Sequence, residues 1–241
     1  VSDRVLGMLG GMAWPSTAAA YAHVNETVAE KRGGRDNAEL LLWSADFARV
    51  EALQAVGDWA AAGDMLADAA ARLEAAGAGA LVLLTNTMHR VAPAIEAAVA
   101  IPLLHVADAT VAAAGDAHVL GLLGTRFTME EEGVRDRLEA HGREVLVPDA
   151  ELRQRVHDHI YNELVHGRVT NACKAAMKDA AAALVDRGAE AVVAGCTEIE
   201  LALAADDVDA RYVPTTAALM DAAVGWLLEG AVPSRPEDTT G

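Results

Sequence analysis

The chain has 241 residues, 53% of them hydrophobic and 23% charged, and carries a formal net charge of −17. That length holds one large domain or two of about 100–120 residues, and the composition is that of a soluble globular protein. The acidic balance argues against nucleic acid or an anionic membrane surface as partner, and no apolar stretch approaches the roughly 20 residues of a membrane span.

Strand and helix signals alternate along the chain. Arg4–Leu9 reads as an apolar strand broken by Gly10-Gly11. Pro15 then marks a turn, and Ser16 is placed to cap a helix running to about Lys31. Glu39–Ser44 reads as a second strand. Asp58–Ala76 has helical spacing and ends at Gly77 and Gly79. Leu81–Leu84 is a strand, His89–Ala98 a helix and Pro102–Val106 a strand. The second half repeats this order: strand 118–123, helix 128–141, strand 143–147, helices across 151–166 and 170–187, strand 191–194 and helix 198–205. Arg211–Pro214 reads as a last strand, Thr216–Glu229 as a closing helix, and the polar, Pro-containing stretch 233–241 as a flexible tail.

Apolar strands without alternation, each followed by a helix, predict α/β architecture with parallel sheets covered on both faces. The two halves also echo one another. Val5–Gly11 reads VLGMLGG and Val119–Thr125 reads VLGLLGT; Leu81–His89 is LVLLTNTMH and Val192–Ile199 is VVAGCTEI. Gly7 and Gly121 lie 114 positions apart, Thr85 and Cys196 111 apart. A near-constant offset predicts two copies of one unit related by a pseudo-two-fold axis. The expected domains are 1–107, with the segment 211–232 packing back on it, and 108–210. An active site is expected in the cleft between them, with Thr85 on one wall and Cys196 on the other.

Ligands of parallel α/β folds bind beyond the carboxyl ends of the strands, where the polar clusters sit. The loop Gly7–Met12, including Gly11 and Met12, lets backbone approach an anion at a helix start, or is simply a tight strand-to-helix turn. It lacks both the dinucleotide fingerprint and the P-loop lysine. Thr85-Asn86-Thr87 offers hydroxyls and an amide suited to a carboxylate, or ordinary helix capping. Cys196, between Gly195 and Thr197-Glu198, is a thiol at a helix start, where it gains thiolate character and serves as acid, base or nucleophile. Cys173 lies in an Ala-rich helical stretch and reads as packing. Two cysteines give no disulfide framework, so a reducing cytoplasm is the expected location. No metal is expected: His157 and His159 flank Asp158 on a helix, where i and i+2 do not share a face. His89 reads as a structural hydrogen-bonding residue and His105 as a residue at a strand end. None of Lys31, Lys174 and Lys178 lies on a site-like motif, so pyridoxal phosphate is not expected, nor is any other cofactor.

The segments GMLGGMAWPSTAAAYAHVN, TNTMH and GCTEI, with SADF at Ser44–Phe47 and LLGTRFTM at Leu122–Met129, resemble the cofactor-independent aspartate/glutamate racemase family over nearly the whole chain. The resemblance implies two similar α/β domains with the active site between them. It also implies an isomerase in which one thiolate removes the Cα proton and an opposite thiol returns one to the other face. One departure is decisive: the family's usual C-N-T is Thr85-Asn86-Thr87 here, as in a subgroup resembling L-aspartate/glutamate-specific racemases. A threonine hydroxyl is a far weaker base than a thiolate, so Cys196 is expected to be the main acid–base group with Thr85 opposite. The resemblance implies that Asn86, Thr87, Thr197 and Glu198 hold the substrate; Gly11, Met12, Gln54, Arg49 and Thr125 are further candidate substrate-binding residues.

The expected substrate is aspartate, glutamate or a related acidic amino acid, and the expected assembly, by analogy with the family, is a homodimer. Two other readings fit the same residues. One is a single-cysteine decarboxylase or cis–trans isomerase of a small dicarboxylate; the other is a carboxylate-binding protein without catalysis.

Overall fold

The computed structural model describes residues 4–130 and 133–239. They form two compact units: one from the described residues of Val1–Val106 and Leu219–Pro233, the other from those of Ala107–Ala218 and Ser234–Gly241.

In the first unit β1 (Val5–Gly10) leads into α1 (Trp14–Arg32), β2 (Glu39–Ser44), α2 (Phe47–Val56), α3 (Trp59–Ala75), β3 (Ala80–Leu83), α4 (Ala92–Ala98) and β4 (Leu103–Leu104). The sheet is parallel, in the order β2-β1-β3-β4. β3 is buried along its whole length, as a strand covered on both faces must be. Leu9, Leu66, Leu81, Leu83, Met88 and Ile95 anchor the core, each side chain stabilising the fold by about 1.5–3 kcal/mol through burial.

The second unit contains α5 (Val106–Ala114), β5 (Val119–Leu123), α6 (Arg126–Glu130), α7 (Val134–Ala140), β6 (Glu144–Leu146), α8 (Ala150–Asn162), α9 (Asn171–Asp186), β7 (Ala191–Ala194) and β8 (Arg211–Pro214). Its parallel sheet has the same topology, β6-β5-β7-β8. Leu123, Met129, Val156, Met177, Leu184, Val192 and Ile199 fill its core. Buried Asp108 receives both arms of Arg137, at 2.7 Å each, and Nε2 of His141 at 2.8 Å, tying α5 to α7.

The duplication read from the sequence extends to packing. A Cβ on Gly7 would stand 2.6 Å from Leu81 and 3.0 Å from the Ala78 methyl. A Cβ on Gly121 would stand 2.9 Å from Leu184 and 3.2 Å from the Ala189 methyl. Each glycine lets the same small residue close over the strand centre.

Several boundaries differ from the sequence reading, each for a local reason. The first helix begins at Trp14 with Ala13 at its cap position and Pro15 in its first turn, so Ser16 lies inside it rather than capping it. The segment 47–57, left without an element, is α2: the Asp46 carboxylate accepts from the Ala48 N–H, and Gly57 closes the helix at φ 72°. α5 was likewise not foreseen. The expected helix 128–141 is α6 and α7, with 131–132 outside the described residues. The stretch 198–205 forms short 3₁₀ turns, Thr197–Leu201 and Ala205–Asp207.

The segment 211–232, assigned to the first domain from sequence, is divided. β8 pairs along β7 in the second sheet, from Ala191↔Arg211 to Ala194↔Pro214. α10 (Thr215–Glu229) follows it, and its residues from Leu219 onward belong to the first unit. There Trp226 lies against Gly79, where a Cβ would be 3.2 Å from its ring, and Arg4 donates to the Leu227 carbonyl. Pro236–Thr239 forms a 3₁₀ turn within the stretch read as a tail; 240–241 lie outside the described residues.

Candidate functional site

Parallel register puts the polar clusters at equivalent places in the two sheets. β1 and β3 pair up to Leu9↔Leu83, and Gly11 and Thr85 each follow two residues beyond that pair. β5 and β7 pair up to Leu123↔Ala194, and Thr125 and Cys196 each follow two residues beyond it. One backbone bond recurs at both strand ends: Leu84 N–H to Leu9 O at 2.9 Å, and Gly195 N–H to Leu123 O at 2.7 Å.

Around Thr85 the loop is built from backbone. Gly11 has φ 91°, a left-handed conformation open to glycine, and a Cβ there would meet the Ala45 nitrogen at 2.3 Å. This contact sets the Ser44–Phe47 segment against the β1 loop. The Gly11 N–H donates to Thr17 Oγ1 at 2.8 Å, and that hydroxyl donates to Ala13 O at 3.1 Å. The Gly11 amide is therefore engaged within the turn. Met12 is buried in the same loop.

Thr85, Asn86 and Thr87 are all partly buried. Asn86 occupies the cap position of the 3₁₀ turn Thr87–Val91 without a side-chain capping bond. His89, 1% exposed, fixes the Thr85 backbone. Its Nδ1–H donates to the Thr85 carbonyl at 2.7 Å, and its Nε2 accepts from the Val106 N–H at 3.2 Å. The two partners, one acceptor and one donor, require the neutral ring. The His105 ring stacks edge-on at 4.4 Å. Gln54 reaches the same segment from α2, its Nε2 lying 3.0 Å from Met88 Sδ. Arg49 is exposed on α2.

Around Cys196 the interactions come from side chains. The thiol donates to Glu198 Oε2 at 2.9 Å, and the Thr197 hydroxyl donates to the same oxygen at 2.7 Å. Burial pushes the Cys196 thiol well above its ordinary range, and the charges of Glu198 and Glu200 push it the same way. The direction is opposite to that expected from a helix N-terminus. The element that starts here is a five-residue 3₁₀ turn with Glu198 and Glu200 in its first turn, and their negative charge outweighs so short a dipole. Thr125 is buried; its hydroxyl lies 3.2 Å from that of Thr128 and accepts from the Thr128 N–H at 3.3 Å, so it caps α6.

The sequence profile of the Asp/Glu/Hydantoin racemase family matches residues 9–223. The chain belongs to this family. It is an isomerase of the racemase class. A Yersinia pestis structure described as a candidate Asp/Glu racemase is 42% identical, with a TM-score of 0.90 over 94% of this chain and 100% of that one. An aspartate racemase homologue from Pyrococcus horikoshii is 29% identical, with a TM-score of 0.81 over 94% and 100%. Glutamate racemase from Francisella tularensis, solved with D-glutamate, shares the fold at 15% identity, with a TM-score of 0.67 over 95% of this chain and 83% of that one. The two parallel sheets fit the two-domain racemase fold of these neighbours. Among the described residues no helix is long and apolar enough to cross a membrane.

Proposed function

We propose that this racemase acts on aspartate, glutamate or a closely related acidic amino acid, with Cys196 as the principal acid–base group and Thr85 serving the opposite face of Cα. The observation that carries the reading is the Cys196–Glu198 contact at 2.9 Å, at the strand-end position equivalent to Thr85. Glu198 receives the thiol proton, the thiolate removes the Cα proton, the Thr85 hydroxyl delivers a proton to the opposite face of the carbanion, and solvent carries the proton from Glu198 back to Thr85. The two enantiomers have equal free energy, so the equilibrium constant between them is near unity. The substrate's ammonium group opposes the Glu198 and Glu200 charges and brings the thiol towards ionisation. Asn86, Thr87 and Thr197 supply polar groups for the substrate carboxylate. Gln54, Arg49, Gly11, Met12 and Thr125 are further candidates for contact with the substrate. A reducing compartment suits a working thiol, and a homodimer is the assembly that sedimentation would test.

The experiment is solvent exchange at Cα in D₂O, followed by NMR for both enantiomers of aspartate and glutamate. With one strong base, one enantiomer exchanges faster than the other. Thr85→Cys raises exchange of the slow enantiomer. Equal exchange of both enantiomers by the wild type overturns the role given to Thr85. Loss of CO₂ from a dicarboxylate without exchange would favour the decarboxylase reading instead.

A further inference from the structure

The region where α8 ends and α9 begins lies outside the loop that carries Cys196. His159, in the last turn of α8, and Glu163, immediately after it, are four residues apart and therefore share one face. His159 Nδ1 lies 3.0 Å from Glu163 Oε1. The chain then passes through the 3₁₀ turn Leu164–His166 and returns at Thr170, which caps α9 by accepting from the Cys173 N–H at 3.1 Å. That return carries Cys173, fully buried, under the same pair. One donor atom from each of His159, Glu163 and Cys173 lies within 4.8 Å of the other two.

We propose that His159, Glu163 and Cys173 form a binding site for a thiophilic divalent cation of the Zn²⁺ class, which fastens the end of α8 to the start of α9. Three donors no more than 4.8 Å apart leave a point within about 2.8 Å of all three, about 0.5–0.8 Å beyond ordinary Zn–S, Zn–O and Zn–N bonds. Small side-chain rotations close that gap. The donor set, one imidazole, one carboxylate and one thiolate, is the mixture such ions take. His159 and Glu163 side chains are 20% and 23% exposed, which gives the ion a way in past the buried sulfur. Thr170 supports the arrangement from outside: its hydroxyl donates to Glu163 Oε2 at 2.6 Å, orienting the carboxylate. A fourth position remains for water.

The test uses Cd²⁺, whose bond to a thiolate gives an ultraviolet charge-transfer band. Because Cys196 and Glu198 could also take a soft metal, the titration is run in the wild type and in Cys196→Ser. The expected result is a band in Cys196→Ser that saturates at one equivalent, with Kd of about 1 µM or tighter. In the Cys196→Ser background the band is lost when Cys173→Ser is added, and His159→Gln or Glu163→Gln weakens binding at least about tenfold. Cys173 is buried and its substitution can harm folding, so the partly exposed His159 gives the independent check. Zn²⁺ should raise the melting temperature of Cys196→Ser with concentration and leave that of Cys196→Ser/His159→Gln unchanged. Absence of the band in Cys196→Ser, or equal affinity in His159→Gln, overturns the site.

Discussion

The loops after β3 and β7 occupy equivalent positions in two copies of one unit, yet they are stabilised in different ways. At Thr85 the backbone is held by a buried neutral histidine, whose rings and bonds fix the carbonyl and leave the side chain to the loop. At Cys196 the side chain itself is held, by a carboxylate that is shared with Thr197. The 3₁₀ turn also begins one residue earlier in the second unit, directly after Cys196, but after Asn86 in the first. One fold therefore presents a thiol whose pKa is raised by burial and neighbouring carboxylates in one copy, and a hydroxyl on an anchored backbone in the other.

The largest expected break in this comparison is at the reactive atoms. Cys196→Ser should lower Cα exchange by roughly 10² or more, because the hydroxyl is a much weaker acid than the thiol. Thr85→Ser keeps the hydroxyl and should cost less than about tenfold. Similar losses in both variants, measured by the same exchange assay, would mean that the two faces are served alike.

The supports should separate next. His89→Ala leaves the Thr85 carbonyl and the Val106 N–H without their imidazole partner, and should lower stability to urea by about 2–3 kcal/mol. Exposed Glu200, four residues after Cys196 as His89 is after Thr85, should tolerate alanine within about 0.5 kcal/mol. Equal effects would show that both loops lean on this position.

The glycine turns differ in degree. Gly11→Ala combines a positive φ with a clash against the Ala45 backbone and should cost about 2 kcal/mol. Its counterpart in the second unit is Thr125; the preceding Gly124, counterpart of Gly10, has the Thr128 side chain at 3.0 Å as its nearest obstacle, and alanine there should cost about 1 kcal/mol.

The smallest effect reads the charge. With its pKa raised, the Cys196 thiol is protonated at neutral pH, so a step that needs the thiolate should speed up as pH rises, about tenfold per unit below that pKa. Glu198→Gln removes a charge that raises it, so the rising limb should move to lower pH, while the loss of the proton acceptor lowers the maximum by roughly tenfold. A limb that stays in place would assign the shift to burial alone.

Much of this was legible in the sequence because the two signals that matter are periodic and repeated. Buried strands such as ALVL and AVVA, and the near-constant spacing between paired motifs, led to two parallel units and to Thr85 and Cys196 at strand ends. The misses follow from tertiary effects. The sequence reading assigns no element to α2, although Asp46 and Gly57 bracket it, because only Val50 on it is buried and it carries no clear apolar stripe. Ser16 looked like a cap, but Pro15 had already started the helix and Thr17 took over the bond to Gly11. The raised pKa of Cys196 depends on how near Glu198 comes and how deeply the thiol is covered, neither of which spacing alone reveals.

Gly7 and Gly121 show what the duplication has preserved. Each sits at a strand centre beneath an alanine at the matching place, while the residues that follow the neighbouring strands differ, Thr85 in one copy and Cys196 in the other. Within a single chain, the same backbone wedge thus supports different side chains at the two equivalent strand ends, so the packing that shapes the loop does not dictate the group the loop presents.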